Sequence, residues 1–391
     1  MVKIEKTWYN VIRAKEKQAT RCGICFSCEL LYRQDIQETR HVVDTKIIQV
    51  DEQHIQEELL RQAGGIIRAG GLVAFPTETV YGLGGDALNP GSSKKIYAAK
   101  GRPSDNPLIV HICRMEDLAY LVKEIPEAAV KLAEKFWPGP LTMIFHKSEA
   151  VPPETTGGLD TVAVRMPSHK AALAFIREAG GYVAAPSANR SGRPSPTSAK
   201  YVAEDMAGRI EMILGGGDVE IGLESTIIDM TEEEPVILRP GYITKEMLEE
   251  VLSSVGEDGT MMADNCRQAP KAPGMKYRHY APKGSLMIVD GEEEQVTAYI
   301  NGQTERLRKE GHKTGVIGTD ATIARYRGDV CKSAGDRDDE RTIAKELYRI
   351  LREFDEEEVT AIFSESFDTA GIGQAIMNRL LKAAGHHIIH L

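Results

Sequence analysis

A polar, irregular stretch from Glu257 to Pro270 breaks an otherwise steady alternation of short apolar strands and amphipathic helices. It leads into APGMKYRHYAPKG, which is bracketed by Pro273 and Pro282 with Gly274 and Gly284. The chain has 391 residues, and a single hydrophobic core rarely grows past ~250–300. The break therefore reads as a linker between two α/β units. The predicted division is residues 1–44 as a poorly packed extension, 45–256 as a first domain, 257–284 as linker and 285–391 as a second domain.

Composition narrows what such a chain does. With 48 basic against 58 acidic side chains, a net charge of −10 leaves no basic footprint for tight phosphate-backbone binding. A hydrophobic share of 42% and a charged share of 27% describe a globular protein rather than a disordered one. No apolar run approaches the ~20 residues that span a bilayer, and MVKIEKTWYN carries no hydrophobic signal core, so a cytoplasmic protein is expected. Isolated Cys113, Cys266 and Cys331 suit a reducing compartment. Cys22, Cys25 and Cys28 form CGICFSC, but with only distant His41 to complete a tetrahedral set the cluster reads as incidental rather than as a zinc site. Up to about Val43 no helical or strand period is visible. That stretch reads as a short extension, or as a start assigned too early, with no part in the chemistry.

In the first unit, apolar residues at Ile55, Leu59, Leu60, Ala63, Ile66 and Ile67 predict a helix closed by Gly70 and Gly71. LVAF reads as a buried strand running into the turn PTETVYGLGGDA. LIVHI, Leu141–Phe145, DTVAVRMP, GYVAAPSAN, EMILGGG, STIIDM and PVILRP read as further strands ending in polar or glycine residues. Mixed strands and helices in this order suggest an open twisted sheet. After the linker, SLMIVD, a long polar helix, TGVIG, a helix from about Glu340 to Phe354, AIFSES and QAIMNRLLKAAG predict a small parallel α/β domain.

No phosphate-binding GxxxxGK[ST], HExxH, GxSxG or kinase signature is present. GIG at Gly371–Gly373 lacks the third glycine of a dinucleotide fingerprint, Ile376 standing in its place, and reads as a helix start. Chemistry concentrates instead at polar strand ends. KGRPSDNP sets Lys100 and Arg102 two residues apart; in an extended segment both point the same way and face one anion. PSANRSGRPSPTS offers Ser187, Asn189, Ser191 and Ser195 on a loop stiffened by Pro186, Pro194 and Pro196.

PTETVYGLGGDA, KGRPSDNPL, PSANRSGRPSPTS, ESTIID and LRPG, in this order and spacing, resemble the YrdC-like domain of threonylcarbamoyl-AMP synthases. PGMKYRHYAP followed by a domain ending in AIMNRLLKAAG is similar to the two-domain form, and the likeness covers roughly Lys46 to Leu391. The resemblance implies an α/β (α+β) architecture, a YrdC-like open twisted sheet followed by a small Rossmann-like parallel domain. It implies a nucleotidyltransferase that joins L-threonine, bicarbonate and ATP, with magnesium, into L-threonylcarbamoyl-AMP, pyrophosphate and water. A partner transferase then passes the threonylcarbamoyl group to the adenosine beside the anticodon of tRNAs reading ANN codons. Position by position, the likeness assigns Thr77, His111, Arg165, Ala185 and Ser225 to threonine. It assigns Lys100, Arg102, Ser104, Thr161, Ser187, Asn189, Ser195, Arg239 and Tyr280 to ATP, with Lys100 and Arg102 as the catalytic cations and no metal ligand among the side chains. Lys276, Arg278 and His279 would belong to a linker that closes over the cavity as a lid. The competing reading is a double-stranded RNA- or tRNA-binding module without adenylate-forming activity. The acidic chain and its lack of aromatic-plus-basic stretches weigh against it. Carbamoyl transfer, as in hydrogenase-maturation enzymes with a similar domain, would call for several CxxC pairs that this chain lacks.

Overall fold

The computed structural model describes residues 43–259 and 279–391. The expectations for the N-terminal extension, for Cys22, Cys25 and Cys28, and for Lys276 and Arg278 lie outside the described residues. Among the described residues, the chain builds a mixed sheet of eleven strands and an all-parallel sheet of five.

The large sheet runs, edge to edge, through Lys46–Gln49, Met212–Gly215, Val73–Phe75, Gly82–Asp86, Val183–Ala184, Ile109–His111, Thr161–Arg165, Leu141–His146, Thr226–Asp229, Val236–Arg239 and Gly256–Glu257. Its central strands are buried along nearly their whole length, as the continuous apolar runs VAF, IVH and LTMIF dictate. The helix Glu57–Arg68 buries Leu60, Ala63 and Ile67, the stripe its periodicity marks, against Phe175 and Ile176 of the helix Lys170–Glu178. Gly64 makes this approach possible, because a Cβ there would stand 2.4 Å from the carbonyl of Glu178.

One segment departs from the sequence reading. PTETVYGLGGDA was expected as a turn throughout, yet Gly82–Asp86 forms a strand antiparallel to Val73–Phe75, with Val73 opposite Gly84. Its glycines carry no strand propensity, but a Cβ at Gly82 or Gly84 would lie 3.1 Å from the Phe75 ring. The strand is glycine-rich because an aromatic side chain of its neighbour fills the space above it.

The parallel sheet is ordered Val330–Ser333, Thr314–Gly318, Ala361–Glu365, Ser285–Asp290, Ile388–His390. The helices Glu293–Lys309, Glu340–Glu356 and Gly371–Ala384 connect and cover it, and Gly371–Gly373 opens the last of them as a plain helix start. The core of this unit does not stop at its own surface. Leu347, Tyr348 and Leu380 belong to one buried cluster with Val80, Leu223 and Tyr280, residues from the loops and linker of the first half. At the same seam a Cβ on Gly222, whose φ is +86°, would fall 2.5 Å from the carbonyl oxygen of Ala344. Arg352, 1% exposed, reaches across to Asp205 at 2.7 Å and donates to the carbonyl of Pro194.

Candidate functional site

The strand ends and polar loops of the large sheet surround a cleft whose empty space, counted out to open solvent, is about 720 Å³. Four basic side chains line it, Lys100, Arg102, Arg165 and Arg239, against Glu224 as the one acidic side chain among the described lining residues.

Lys100 is the last residue of the helix Pro90–Lys100, which Gly101 closes in the left-handed conformation at φ +61°. The extended geometry expected for Lys100 and Arg102 is thus replaced by a helix end, yet both still face the cavity. Lys100 is 3% exposed. Its Nζ donates to the carbonyl of Asn189 at 2.6 Å and to that of Ser187. Burial, followed by the charge of Arg102, holds the ammonium well below its ordinary pKa. Arg102 donates to the carbonyls of Asn106 and Pro107, while its buried Nε has no protein partner. Burial lowers its pKa to about 10.

Ser187 and Asn189 sit on the proline-rich loop that follows Val183–Ala184, and the Ser187 hydroxyl donates to Asn189 Oδ1 at 2.5 Å. Asn189 Nδ2 ties back to the carbonyls of Arg190 and Arg193, so the loop is fixed from within. Arg239, at the end of Val236–Arg239, donates from Nε and Nη2 to the Ser225 carbonyl at 3.1 and 2.9 Å. Burial, then Arg379, brings its pKa to about 10. The Ser225 hydroxyl also meets Thr142 at 2.8 Å.

The same lining holds Thr77, His111, Arg165 and Ala185. Arg165 ends the strand Thr161–Arg165 and is oriented by Glu78 Oε1 at 2.7 Å and by the Gly139 carbonyl. His111 is pushed down to about 3, first by burial and then by Arg165, so its imidazole is neutral at ordinary pH. The Thr77 hydroxyl donates to the Val80 carbonyl and receives the backbone N–H groups of Thr79 and Val80, a compact turn that shapes the wall.

His279 and Tyr280 arrive from the linker and also line the cavity. Tyr280 has φ +63° and stacks on Tyr348, ring centroids 5.1 Å apart, with the Arg379 guanidinium 5.9 Å from its own ring. A non-glycine residue in that region costs on the order of 1–3 kcal/mol and persists only where packing enforces it.

The structure thus gathers Thr77, Lys100, Arg102, His111, Arg165, Ala185, Ser187, Asn189, Ser225, Arg239, His279 and Tyr280 around one chamber. Three residues stand outside its lining. Ser104 is exposed beside a second hollow with Lys94 and Tyr97, because the loop turns after Arg102. Thr161 is half-buried at the start of its strand, opposite His146. Ser195 is buried behind the wall and donates to Glu224 Oε1 at 2.5 Å.

Glu224 is the lining residue that sequence reasoning passed over, although it directly precedes Ser225 in ESTIID. It is 7% exposed, and Ser195, Tyr348 and Arg379 all donate to it. Arg379 had a sequence signal of its own. It is a charge within the apolar stripe Ile376, Leu380 and Ala383 of the last helix.

A family model described as "Telomere recombination", covering Sua5, YciO and YrdC, matches residues 65–241. One described as "Threonylcarbamoyl-AMP synthase, C-terminal domain" matches residues 243–385. Threonylcarbamoyl-AMP synthase of Pyrococcus abyssi is 50% identical over 348 residues, which cover 88% of this chain and 99% of that protein. The enzyme of the same name from Bacillus subtilis is 48% identical and covers 87% and 96%. The crystal structure of P. abyssi Sua5 complexed with L-threonine matches with a TM-score of 0.84 at 49% identity, over 89% of this chain and 100% of that one. Since the likeness spans both sheets and the segment between them, the chain belongs to the threonylcarbamoyl-AMP synthase family.

Proposed function

We infer that the protein is an L-threonylcarbamoyladenylate synthase, converting L-threonine, bicarbonate and ATP into L-threonylcarbamoyl-AMP, pyrophosphate and water. The observation that carries this reading is one chamber lined by Lys100, Arg102, Arg165 and Arg239 and, among the described lining residues, only one carboxylate. Such a chamber suits two anionic ligands held together, an amino acid carboxylate near Arg165 and a triphosphate near Lys100, Arg102 and Arg239.

In this reading residues 45–256 form the catalytic domain, 257–284 the lid and 285–391 the second domain. Thr77, His111, Arg165, Ala185 and Ser225 hold threonine, and a neutral His111 offers a hydrogen bond without competing as a charge. The threonine amine attacks the carbon of bicarbonate, and loss of water leaves a carbamate. A closed chamber keeps that carbamate from reverting. A carbamate oxygen then attacks the α-phosphorus, the bond to the β-phosphate breaks, and pyrophosphate leaves with the electron pair. Lys100 and Arg102, with Arg239, stabilise the charge that builds on the phosphoryl oxygens. Ser187, Asn189 and Tyr280 seat the nucleotide, and Ser195 acts through Glu224. For Ser104 and Thr161 the proposal rests on family likeness alone. Magnesium does not fit as a protein-held ion. No cluster of three or more metal-ligating side chains occurs among the described residues, and Glu224 is taken up by Ser195, Tyr348 and Arg379. The ion would enter on the phosphates.

The product is an activated mixed anhydride, so an acyl transferase must consume it. We assign that step to a threonylcarbamoyl transferase acting on the adenosine beside the anticodon of ANN-reading tRNAs, and place the enzyme in the cytoplasm with its tRNA-modifying partner. No helix among the described residues is long and apolar enough to cross a membrane. No observation favours the RNA-binding module over this reading. The deciding experiment measures pyrophosphate release with threonine, bicarbonate and ATP each omitted in turn. Release should require all three, and release without threonine would refute the assignment.

A further inference from the structure

An ionised carboxylate is an awkward neighbour for a triphosphate, yet Glu224 lies in the wall of the chamber beside Lys100, Arg102 and Arg239. Its charge is not cancelled from within the first half alone. Oε2 accepts from Arg379 Nε at 2.9 Å, and Arg379 belongs to the helix Gly371–Ala384 of the parallel-sheet unit. The guanidinium is 0% exposed in its side chain and lies within cation–π range of Tyr280. Its Nη2 has no hydrogen-bond partner although it is buried. Tyr348, from the helix Glu340–Glu356, donates to the same carboxylate at 2.9 Å. Two polar side chains of the parallel-sheet unit, Arg379 and Tyr348, therefore converge on this one acidic side chain.

We propose that Arg379 of the C-terminal half cancels the charge of Glu224 and thereby sets the affinity of the chamber for the nucleotide's phosphates. Arg379 is in this sense a positioning residue, acting through Glu224 rather than by touching the substrate. The inference rests on the reading that ATP occupies the chamber. With the pair intact, the phosphates meet Lys100, Arg102 and Arg239 as a net cationic surface. Without Arg379 the carboxylate keeps the Ser195 and Tyr348 hydrogen bonds and the nearby charges of Arg239 and Lys382, but loses its paired guanidinium, so the phosphates meet a more negative wall. The threonine carboxylate, held by Arg165 with Glu78 as its counter-ion, should register the change less, through Ser225 alone. Supporting the same picture, burial pushes the Glu224 carboxyl up while Arg379 and Arg239 outweigh it and bring it down to about 2.

The test uses the full-length chain and calorimetric titration with ATP and with L-threonine, alongside thermal melts. Arg379→Met should weaken ATP binding by about 5- to 150-fold, the span usual for coupling between sites, and change threonine affinity by much less. Glu224→Gln should hold or tighten ATP binding, since it removes the repelling charge. The double variant should recover most of what Arg379→Met loses. Opposite signs for the two single variants are the signature that a purely structural role for the pair would not give. If both weaken ATP alike, or if Arg379→Met binds it as the parent does, the inference is overturned. Should Arg379→Met fail to fold, the Glu224→Gln titration still decides, because a loss of ATP affinity there contradicts the charge argument. Opposite-signed shifts in a parent protein that releases no pyrophosphate would refute the proposed reaction and keep the charge pair. Same-signed shifts in an active enzyme would refute the charge pair alone.

Discussion

Replacing Lys100 by methionine is the sharpest probe of the chamber. The two side chains are similar in length, so the change removes a charge and three donors while leaving the stem in place. Two unit charges about 4 Å apart interact by about 4 kcal/mol at an effective dielectric near 20. Losing one fixed donor to a developing oxyanion costs about 2.7–4 kcal/mol in kcat. On either estimate kcat/KM for ATP should fall by at least ~100-fold. The cost to folding is smaller. The carbonyls of Ser187 and Asn189 lose a partner, at about 1–3 kcal/mol per unsatisfied group, but an ammonium no longer has to be desolvated. Pyrophosphate release at saturating threonine and bicarbonate gives the rate, and circular dichroism verifies the fold. A pH series adds a second reading. Because burial and Arg102 hold the Lys100 pKa well below its ordinary value, and the phosphates want it charged, ATP affinity should decline as pH rises through that lowered value. Lys100→Met should lack that decline. A folded variant with near-parental kcat/KM and the same pH dependence would refute the role given to this lysine.

Arg352→Met should lower stability by about 1–3 kcal/mol, because the Pro194 carbonyl loses its donor and Asp205 is left with Arg193 and the Arg190 backbone N–H; the denaturant midpoint measures it. Glu224 carries a pH signature. Its folded pKa of about 2 lies below the ordinary glutamate value of about 4.5, so its contribution is complete above about pH 4.5 and is lost as pH falls toward 2. The stability gap between parent and Glu224→Gln should therefore shrink by on the order of 3 kcal/mol across that window in urea titrations. Deleting Lys276–Tyr280 should abolish product formation while both sheet units keep their melting transitions, and normal turnover in that deletion would remove the linker from the mechanism.

Much of this molecule is legible in its residues because apolar period and chemistry coincide. VAF, IVH and LTMIF announce buried strands, and the loops that leave them carry the basic and hydroxyl groups that meet in the chamber. Legibility fails where a residue's meaning depends on a distant neighbour. Gly82–Asp86 reads as a turn until Phe75 is known to lie across it. Lys100 and Arg102 reach the same space through a left-handed Gly101 rather than an extended segment. Ser104 is two residues from Arg102 yet faces another hollow. Glu224 looks like an ordinary strand-leading acid until an arginine 155 positions later is placed against it.

The close approach at Gly222 bears on how this protein can be cut or recombined. With no room for even a methyl group between that loop and Ala344, the rim next to Glu224 is moulded on a helix from the far half of the chain. A fragment made by severing the halves would keep the acidic side chain but lose both Tyr348 and Arg379, and would lay Val80 and Leu223 open to water. Swapping the C-terminal half between relatives is therefore a transplant into the reaction vessel itself, and compatibility will be decided along this seam, at Gly222, Glu224 and Asp205 above all.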